Sequence, residues 1–390
     1  MSKTNKVLII TNYFPPERGA ASNRIFSLAE GLKKYNKHIT IVTPLPNYPK
    51  GRIFPEYRGK LRLTQEEDQM TIHRLWVFAS NSKNKFIRLF AMLSYSFSLI
   101  CFFTFKKTPQ KVIIQSPPLI VAFISILFLK RKRRQLILNV SDLWPKAGLD
   151  LGAFKKNKTF KLLERMERFN YKNSDLILGQ SHEILDHIAA LLPNKKTLLY
   201  RNFPDFPVPN IQSNSANRLP LKLVYAGLLG VAQGVHKLMS QLDYDHIEFH
   251  IYGSGAESSQ IKDFIKLHPQ LPIHYHGEIS REALHGILPQ YDLTIIPLSL
   301  RIYGSVPSKI FEYARLGLPM IYFGGGEGGA LIKTNKLGWS IPPGDYKALN
   351  KTLGQITKED LDAHFRSHIQ NKAIECFNFD KQLQALSVHL

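Results

Sequence analysis

Short apolar runs recur along the chain at residues 7–11, 39–43, 112–115, 136–140 and 176–179, each dense in Val, Ile and Leu. Between them lie stretches with the three-to-four residue spacing of an amphipathic helix, at 22–34, 159–170 and 182–191. Buried strands separated by helices predict βαβ units and a parallel, doubly wound sheet. The pattern stops at 201–220, where Asn202-Phe203-Pro204-Asp205-Phe206-Pro207-Val208-Pro209 precedes a Ser/Asn run with neither period, and this reads as a linker. It restarts with apolar runs at 221–226, 247–252, 273–276, 293–297 and 320–323, so a second domain of the same kind follows. The predicted fold class is α/β, two Rossmann-like doubly wound domains facing across a cleft, with an acceptor-side domain over 1–203, a second over 204–368, and a helical tail over 369–390 that packs back toward the first.

Two stretches are unusually apolar. Residues 89–105 carry no charge over 17 positions, with Lys85 and Arg88 before them and Lys106 and Lys107 after. That length lies at the lower limit for a membrane-spanning helix. Ser94, Tyr95, Ser96, Ser98 and Thr104 lower its hydrophobicity, which leaves two readings open: a helix lying in an anionic interface, or a buried helix of the first sheet. Residues 119–129 are a second such run and end in Lys130, Arg131, Lys132, Arg133 and Arg134, which reads as a buried helix leading into a basic exposed loop.

At 390 residues with 44% hydrophobic and 21% charged positions, the chain is long enough for two cored domains and unlike disordered, collagenous or disulfide-scaffold sequences. Two cysteines, Cys101 and Cys376, exclude a disulfide framework and a CxxC site and point to a reducing compartment. The opening Met-Ser-Lys-Thr-Asn-Lys runs into the first strand without the apolar segment of a signal peptide, so a cytoplasmic location is expected.

Charge adds an asymmetry that hydropathy does not show. Residues 1–200 hold 34 Lys and Arg against 13 Asp and Glu, a net +21, whereas 201–390 hold 18 against 17, a net +1. The first half is therefore expected to face an anionic partner, such as a lipid surface or a phosphorylated substrate. The basic run at 130–134 has no interleaved aromatics and no RNA-binding signature, so nucleic acid is not the expected partner.

Candidate chemistry lies at strand-to-helix turns. Asn12-Tyr13-Phe14-Pro15-Pro16-Glu17-Arg18-Gly19-Ala20-Ala21-Ser22 follows the first strand and is neither a GxGxxG fingerprint nor a P-loop. Its small residues let backbone approach a phosphate or sugar. The segment from Pro307 through Ser308, Lys309 and Glu312 to Pro319 opens a helix with free amides near Ser308 and Lys309 and places a carboxylate one turn further in. A carboxylate there suits a ribose diol, or it simply complements the helix dipole. Asp243-Tyr244-Asp245 imitates a metal-binding DxD but reads as a solvated turn, and the 14 histidines show no HExxH or zinc spacing, so no metal is expected.

These motifs together resemble the retaining, nucleotide-sugar-dependent glycosyltransferases of group 1 (family 4), which have the GT-B fold. The nearest likeness is to the subgroup that transfers N-acetylfucosamine-type amino sugars in bacterial O-antigen and capsule synthesis. The resemblance runs over nearly the whole chain and rests on the order and spacing of Tyr13 through Gly19, Asn47-Tyr48-Pro49-Lys50-Gly51, Ser116-Pro117-Pro118, Asp142-Leu143-Trp144-Pro145, Tyr225-Ala226-Gly227, Ala232-Gln233-Gly234, Gly253-Ser254-Gly255, Pro307 through Pro319, and Pro342-Pro343-Gly344-Asp345. It implies that Gly19 and Gly227 border the donor diphosphate, that Ser308 and Lys309 hold it, that Glu312 binds the ribose hydroxyls, and that Glu278 and Ile279 contact the base through main-chain groups. It implies that Asp142 faces the reacting sugar and accepts or orients the acceptor proton.

Two departures stand out. The first glutamate of the family's Glu-x7-Glu pattern is Gly304 here, and a common Arg and Lys pair corresponds to Leu228 and Gln233. Arg18 and Lys309 are the expected replacements for the missing charge, with His236 a further candidate. The resemblance implies a metal-independent hexosyltransferase that moves a sugar from a UDP-sugar to a polyprenyl-diphosphate-linked saccharide at the inner face of the plasma membrane. The basic residues Lys130 to Arg134 would meet the anionic surface. A GT-B UDP-sugar epimerase and a non-catalytic nucleotide-sugar or lipid-binding protein are the alternatives.

Overall fold

A computed structural model describes residues 5–17, 19–82, 84–150, 152, 155–211 and 220–390, and the side chains of these residues except Lys85 and Arg88. The chain divides into two compact units, Met1–Asn202 with Asp380–Leu390, and Phe203–Phe379.

The first unit is built on the strands β1 (Lys6–Ile10), β2 (His38–Pro44), β3 (Arg62–Glu67), β4 (Met70–Leu75), β5 (Lys111–Ser116), β6 (Gln135–Val140), β7 (Leu176–Gly179) and β8 (Thr197–Leu199). Its helices are α1 (Ala20–Lys33), α2 (Lys85–Phe105), α3 (Leu119–Leu129), α4 (Lys146–Asp150), α5 (Lys158–Asn173) and α6 (His182–Leu191). The sheet order is β3-β4-β2-β1-β5-β6-β7-β8, all pairs parallel except β3 with β4. Central strands are covered on both faces, which is why Val7, Leu8, Ile9 and Ile10 are all fully buried and the run is continuously apolar. The pair β3 and β4 lies outside the predicted elements because β3, Arg-Leu-Thr-Gln-Glu-Glu, is a polar edge strand with no apolar period.

Helix α2 starts four residues before the apolar run. The Asn84 side chain accepts from the amides of Phe86 and Ile87 and caps the helix there. One face packs inward through Tyr95, Leu99 and Phe102, and its polar groups meet backbone carbonyls: Tyr95 Oη donates to Thr11 and Val42, and Ser98 Oγ to Trp76. The opposite face, spaced i, i+3, i+4, i+7 and i+11, exposes Phe86, Leu89, Phe90, Leu93 and Phe97. Among the described residues no helix is long and apolar enough to cross a membrane.

The second unit contains β9 (Leu221–Ala226), α7 (Val235–Gln241), β10 (Ile247–Tyr252), α8 (Ser258–Leu267), β11 (Ile273–Gly277), α9 (Arg281–Ile287), β12 (Leu293–Pro297), α10 (Lys309–Arg315), β13 (Met320–Phe323), α11 (Glu327–Thr334), β14 (Gly338–Ile341), α12 (Tyr346–Gln355) and α13 (Ala363–Cys376). The sheet is wholly parallel in the order β11-β10-β9-β12-β13-β14. In such a sheet the strand order reverses between the first and fourth strands, and ligands gather at their carboxyl ends, here the ends of β9 and β12.

The tail does not separate at residue 369. Helix α13 belongs to the second unit, where Ile369 and Ala373 are buried with Phe311 and Phe377 in one core cluster. The helix α14 (Phe379–Ser387) follows, and residues from Asp380 onward belong to the first unit, with Gln382 exchanging hydrogen bonds with the Arg201 backbone and Asp380 pairing with Lys34.

Candidate functional site

The end of β9 is the best-formed part of the second unit's site. Gly227 follows the strand directly, and Lys309, the first residue of α10, lies beside it. A Cβ placed on Gly227 would fall 2.7 Å from Lys309 Cε and 3.1 Å from Nζ, so only a glycine leaves the ammonium this position. Lys309 Nζ also lies 3.4 Å from Tyr313 Oη, which donates in turn to the Ala226 carbonyl. A cation is thus held at the switch point by contacts with β9 and α10. Ser308 stands at the N-terminal boundary of α10 with no side-chain capping bond.

Glu312 lies one turn inside α10. His285 Nε2 lies 2.6 Å and Arg281 Nε 3.1 Å from the same oxygen, Oε1. Burial alone pushes this carboxyl up, but the His285 hydrogen bond and the charges of Lys309 and Arg281 outweigh it and bring the pKa down to about 2. Glu312 is therefore ionised throughout the neutral range. Nothing in the local sequence marks Arg281 and His285, because they reach Glu312 from α9, about 30 residues away.

The loops after β9, β10 and β11 are stacked on one another. A Cβ at Gly253 would fall 1.8 Å from the Gly227 carbonyl oxygen, and one at Gly255 2.4 Å from that of Leu229. Leu229 N donates to Ser254 O and Gly253 N to Gly277 O. Ser254 Oγ donates to Glu278 Oε2 at 2.7 Å, which fixes the residue following β11. Ile279 packs into the core with Leu284 and Ile287. Gln233 turns back over its own loop, its Oε1 2.8 Å from where a Gly230 Cβ would stand. The His236 amide donates to Glu257 Oε2.

Gly304 has a φ of +84° and is buried, a conformation that side chains other than glycine rarely adopt. The glutamate that the resemblance would place there does not suit this backbone. Asp243 and Asp245 form a local turn, with the Asp245 amide donating to Asp243 Oδ1, before the amino end of β10 and so away from the carboxyl ends just described.

In the first unit the candidate residues lie at the carboxyl ends of β1, β2 and β6. Glu17, buried, accepts from the Asn47 and Tyr48 amides at 2.8 Å each and ties the loop after β1 to the loop after β2. Tyr48 thereby packs against Tyr13 and stands 3.8 Å from where a Gly19 Cβ would be. Gly19, at φ +148°, precedes α1. Arg18 lies outside the described residues.

Asp142 follows β6. Burial raises its carboxyl and the Arg24 charge opposes that rise, leaving the pKa at about 6. Arg24 is itself buried, its guanidinium donating to Ser141 Oγ at 2.5 Å and to Gln180 Oε1 at 3.0 Å. In the sequence Arg24 is one residue of an amphipathic helix, and nothing there marks it as the partner of a position 118 residues later.

The basic run after α3 divides in two. Lys130 pairs with Asp175 at 3.1 Å, and Arg134 donates to the carbonyls of Pro109, Leu129 and Thr108. Lys130, Arg131, Lys132 and Arg133 are all exposed, and Arg134 is half-buried.

Residues 221–359 match the family described as glycosyl transferases group 1. The chain is 23% identical over 248 residues to the probable glycosyltransferase WbjE of Pseudomonas aeruginosa, a match spanning 58% of this chain and 61% of that relative. Among solved structures it superposes on sucrose-phosphate synthase of Thermosynechococcus elongatus with a TM-score of 0.73 at 13% identity, covering 98% of both chains. It superposes on Anabaena HepE in complex with UDP with a TM-score of 0.67 at 13% identity, covering 98% of this chain and 99% of the other. The two parallel-sheet units are those of the GT-B fold.

Proposed function

We propose that this chain, with the GT-B fold and a second unit matching the glycosyl transferases of group 1, is a glycosyltransferase of bacterial surface polysaccharide synthesis. The second unit takes a UDP-sugar, an N-acetylated amino sugar, and the first unit takes a polyprenyl-diphosphate-linked saccharide. The observation that carries this reading is the Lys309 ammonium held against Gly227 at the carboxyl end of β9, where a parallel sheet of this order receives the phosphates of a nucleotide. Glu312, ionised and steadied by His285 and Arg281, supplies an acceptor for ribose hydroxyls. HepE, of the same fold, was solved with UDP, which favours that nucleotide.

In the proposed transfer, with retention, the acceptor oxygen bonds to the anomeric carbon as the bond from that carbon to the diphosphate breaks. A donor phosphate oxygen on the same face helps remove the acceptor proton, and Asp142 accepts or orients it. Neither step calls on a metal ion.

The acceptor's lipid makes an anionic membrane surface the partner of the first unit, at the inner face of the plasma membrane. Support comes from α2, whose outward face is apolar, with Phe86 83% and Phe97 63% exposed. Helix α3 packs beside it and ends in exposed Leu127 and Phe128, followed by Arg131, Lys132 and Arg133. Apolar side chains flanked by cations are the combination that binds an anionic interface.

The test is calorimetry of the folded protein with UDP, GDP, ADP and CMP. Saturable binding selective for UDP, lost in Glu312→Ala and Lys309→Ala, is expected. A folded protein that binds none of the four would overturn the donor site. Anomeric configuration of the product by NMR then tests retention.

A further inference from the structure

Strands β10 and β11 place four titratable side chains at the second sheet's edge. His250 is in register with His274 and Glu248 precedes His250 by two residues, so these three project to the same side; His276 lies where the register shifts and joins them through its Nε2, 2.9 Å from His250 Nδ1. Glu248 Oε1 lies 3.0 Å from His250 Nε2 and 2.9 Å from His274 Nε2, and the ligand atoms of this trio all lie within 4.8 Å of one another. None of the three belongs to the donor site described above.

Two features distinguish this trio from an ordinary hydrogen-bonded cluster. His250 Nε2 is buried and has no hydrogen-bond partner despite the nearby carboxylate, so the approach is close but not directed as a hydrogen bond. Its other ring nitrogen, Nδ1, is 2.9 Å from His276 Nε2. A buried imidazole with one nitrogen engaged and the other aimed beside a carboxylate and a second imidazole is the arrangement of a metal-ligating histidine with its outer partner.

We propose that Glu248, His250 and His274 bind a divalent transition-metal ion of the zinc class, with His276 orienting the His250 ring. Two imidazoles and one carboxylate suit zinc in preference to magnesium or calcium, which take oxygen ligands. Around tetrahedral zinc, ligand atoms stand about 3.3 Å apart, given metal–ligand distances of roughly 2.0–2.2 Å, so the trio needs only small side-chain movements to close on the ion. The fourth position faces solvent beside the half-exposed His274 and takes water. The ion would cross-link the edge strand β11, which Glu278 follows, to β10, which the Gly253–Gly255 turn follows. The site stands apart from the glycosyltransferase reading, since no ligand of it touches Lys309, Gly227 or Glu312.

The experiment is titration of the full chain, stripped with chelator, with zinc chloride by calorimetry, beside thermal unfolding with and without the ion. One equivalent is expected to bind and to raise the unfolding midpoint, whereas magnesium does neither. His274→Gln and Glu248→Gln are expected to weaken binding at least about 100-fold and to abolish the midpoint shift. Their unfolding midpoints in chelator should match the unsubstituted protein's. His364→Gln, on the exposed start of α13, should leave the isotherm unchanged. The absence of saturable zinc binding in the folded chain, or an isotherm identical in both ligand variants, would overturn the site.

Discussion

Lys309 reaches the end of β9 only because Gly227 has no side chain: a methyl group there would stand 2.7 Å from Lys309 Cε. The end of a lysine gives way more readily than backbone, so Gly227→Ala should displace the ammonium and leave the strand intact. A lost charge-assisted hydrogen bond amounts to about 1.5–3 kcal/mol, or roughly 10- to 100-fold in affinity for UDP. Calorimetry with UDP reads this directly, with an unfolding midpoint close to the parent protein's. Unchanged affinity would separate Lys309 from the phosphates.

Gly253 makes the opposite case. Its Cβ would fall 1.8 Å from the Gly227 carbonyl oxygen, and its φ of +132° already disfavours a side chain. Here backbone meets backbone and nothing flexible gives way. Gly253→Ala is expected to destabilise the second unit by about 3 kcal/mol or more. Denaturant unfolding checks it; a loss below 1 kcal/mol would mean that the stacked loops part easily.

For Asp142 the prediction concerns pH. With its carboxyl at about 6, the ionised form that accepts or orients a proton is depleted in acid. The transfer rate should rise through pH 6 and level off above it, and Asp142→Asn should remove that limb along with most of the activity. Stability moves the other way. A carboxyl raised on folding disfavours the native state once it ionises, so the parent protein should lose stability between pH 4 and pH 6. The Asn variant should then exceed it above pH 6 by about 3 kcal/mol and equal it below pH 4. Superimposable pH–rate profiles for the two proteins would remove Asp142 from the chemistry.

On α2 the exposed face and its basic neighbours can be tested separately. Phe86→Ser with Phe97→Ser should weaken sedimentation with vesicles containing phosphatidylglycerol while altering stability by less than about 0.5 kcal/mol, because both side chains are exposed. Neutralising Arg131, Lys132 and Arg133 should weaken it by about 1 kcal/mol per charge and reduce its dependence on salt. Lys130→Gln, by contrast, removes a charge that Asp175 already partners at the surface, and should weaken sedimentation less than Arg131→Gln while changing stability by less than about 1 kcal/mol. Equal sedimentation by all variants would exclude this face.

How far each feature was legible follows from the distance over which it is decided. The strands β1, β2, β5, β6, β7, β9, β10, β11, β12 and β13 and the helices α1, α3, α5 and α6 were visible because covered strands are apolar and helices carry their own period. The pair β3 and β4 was not visible, since a polar edge strand has no such requirement. Lys309 and Glu312 stood out because a turn and the helix it opens lie within a few residues of each other. The histidine cluster did not, because its ligands alternate along two strands and meet only through the register of His250 with His274, which leaves no local spacing in the sequence.

The sequence by itself determined the two doubly wound units, their division near residue 203, the turns that carry candidate chemistry and the concentration of positive charge in the first half, all of which depend on local pattern and composition. The tertiary structure alone decided which charges meet. It set His285 and Arg281 on Glu312, Arg24 beside Asp142, and Asp175 on Lys130, which partners that lysine's charge while leaving it exposed. It also resolved the two readings of α2 into a helix with one buried and one exposed apolar face. The physical reason is that burial and partnership are properties of surfaces in contact, and such contacts join residues whose separation along the chain carries no periodic signal.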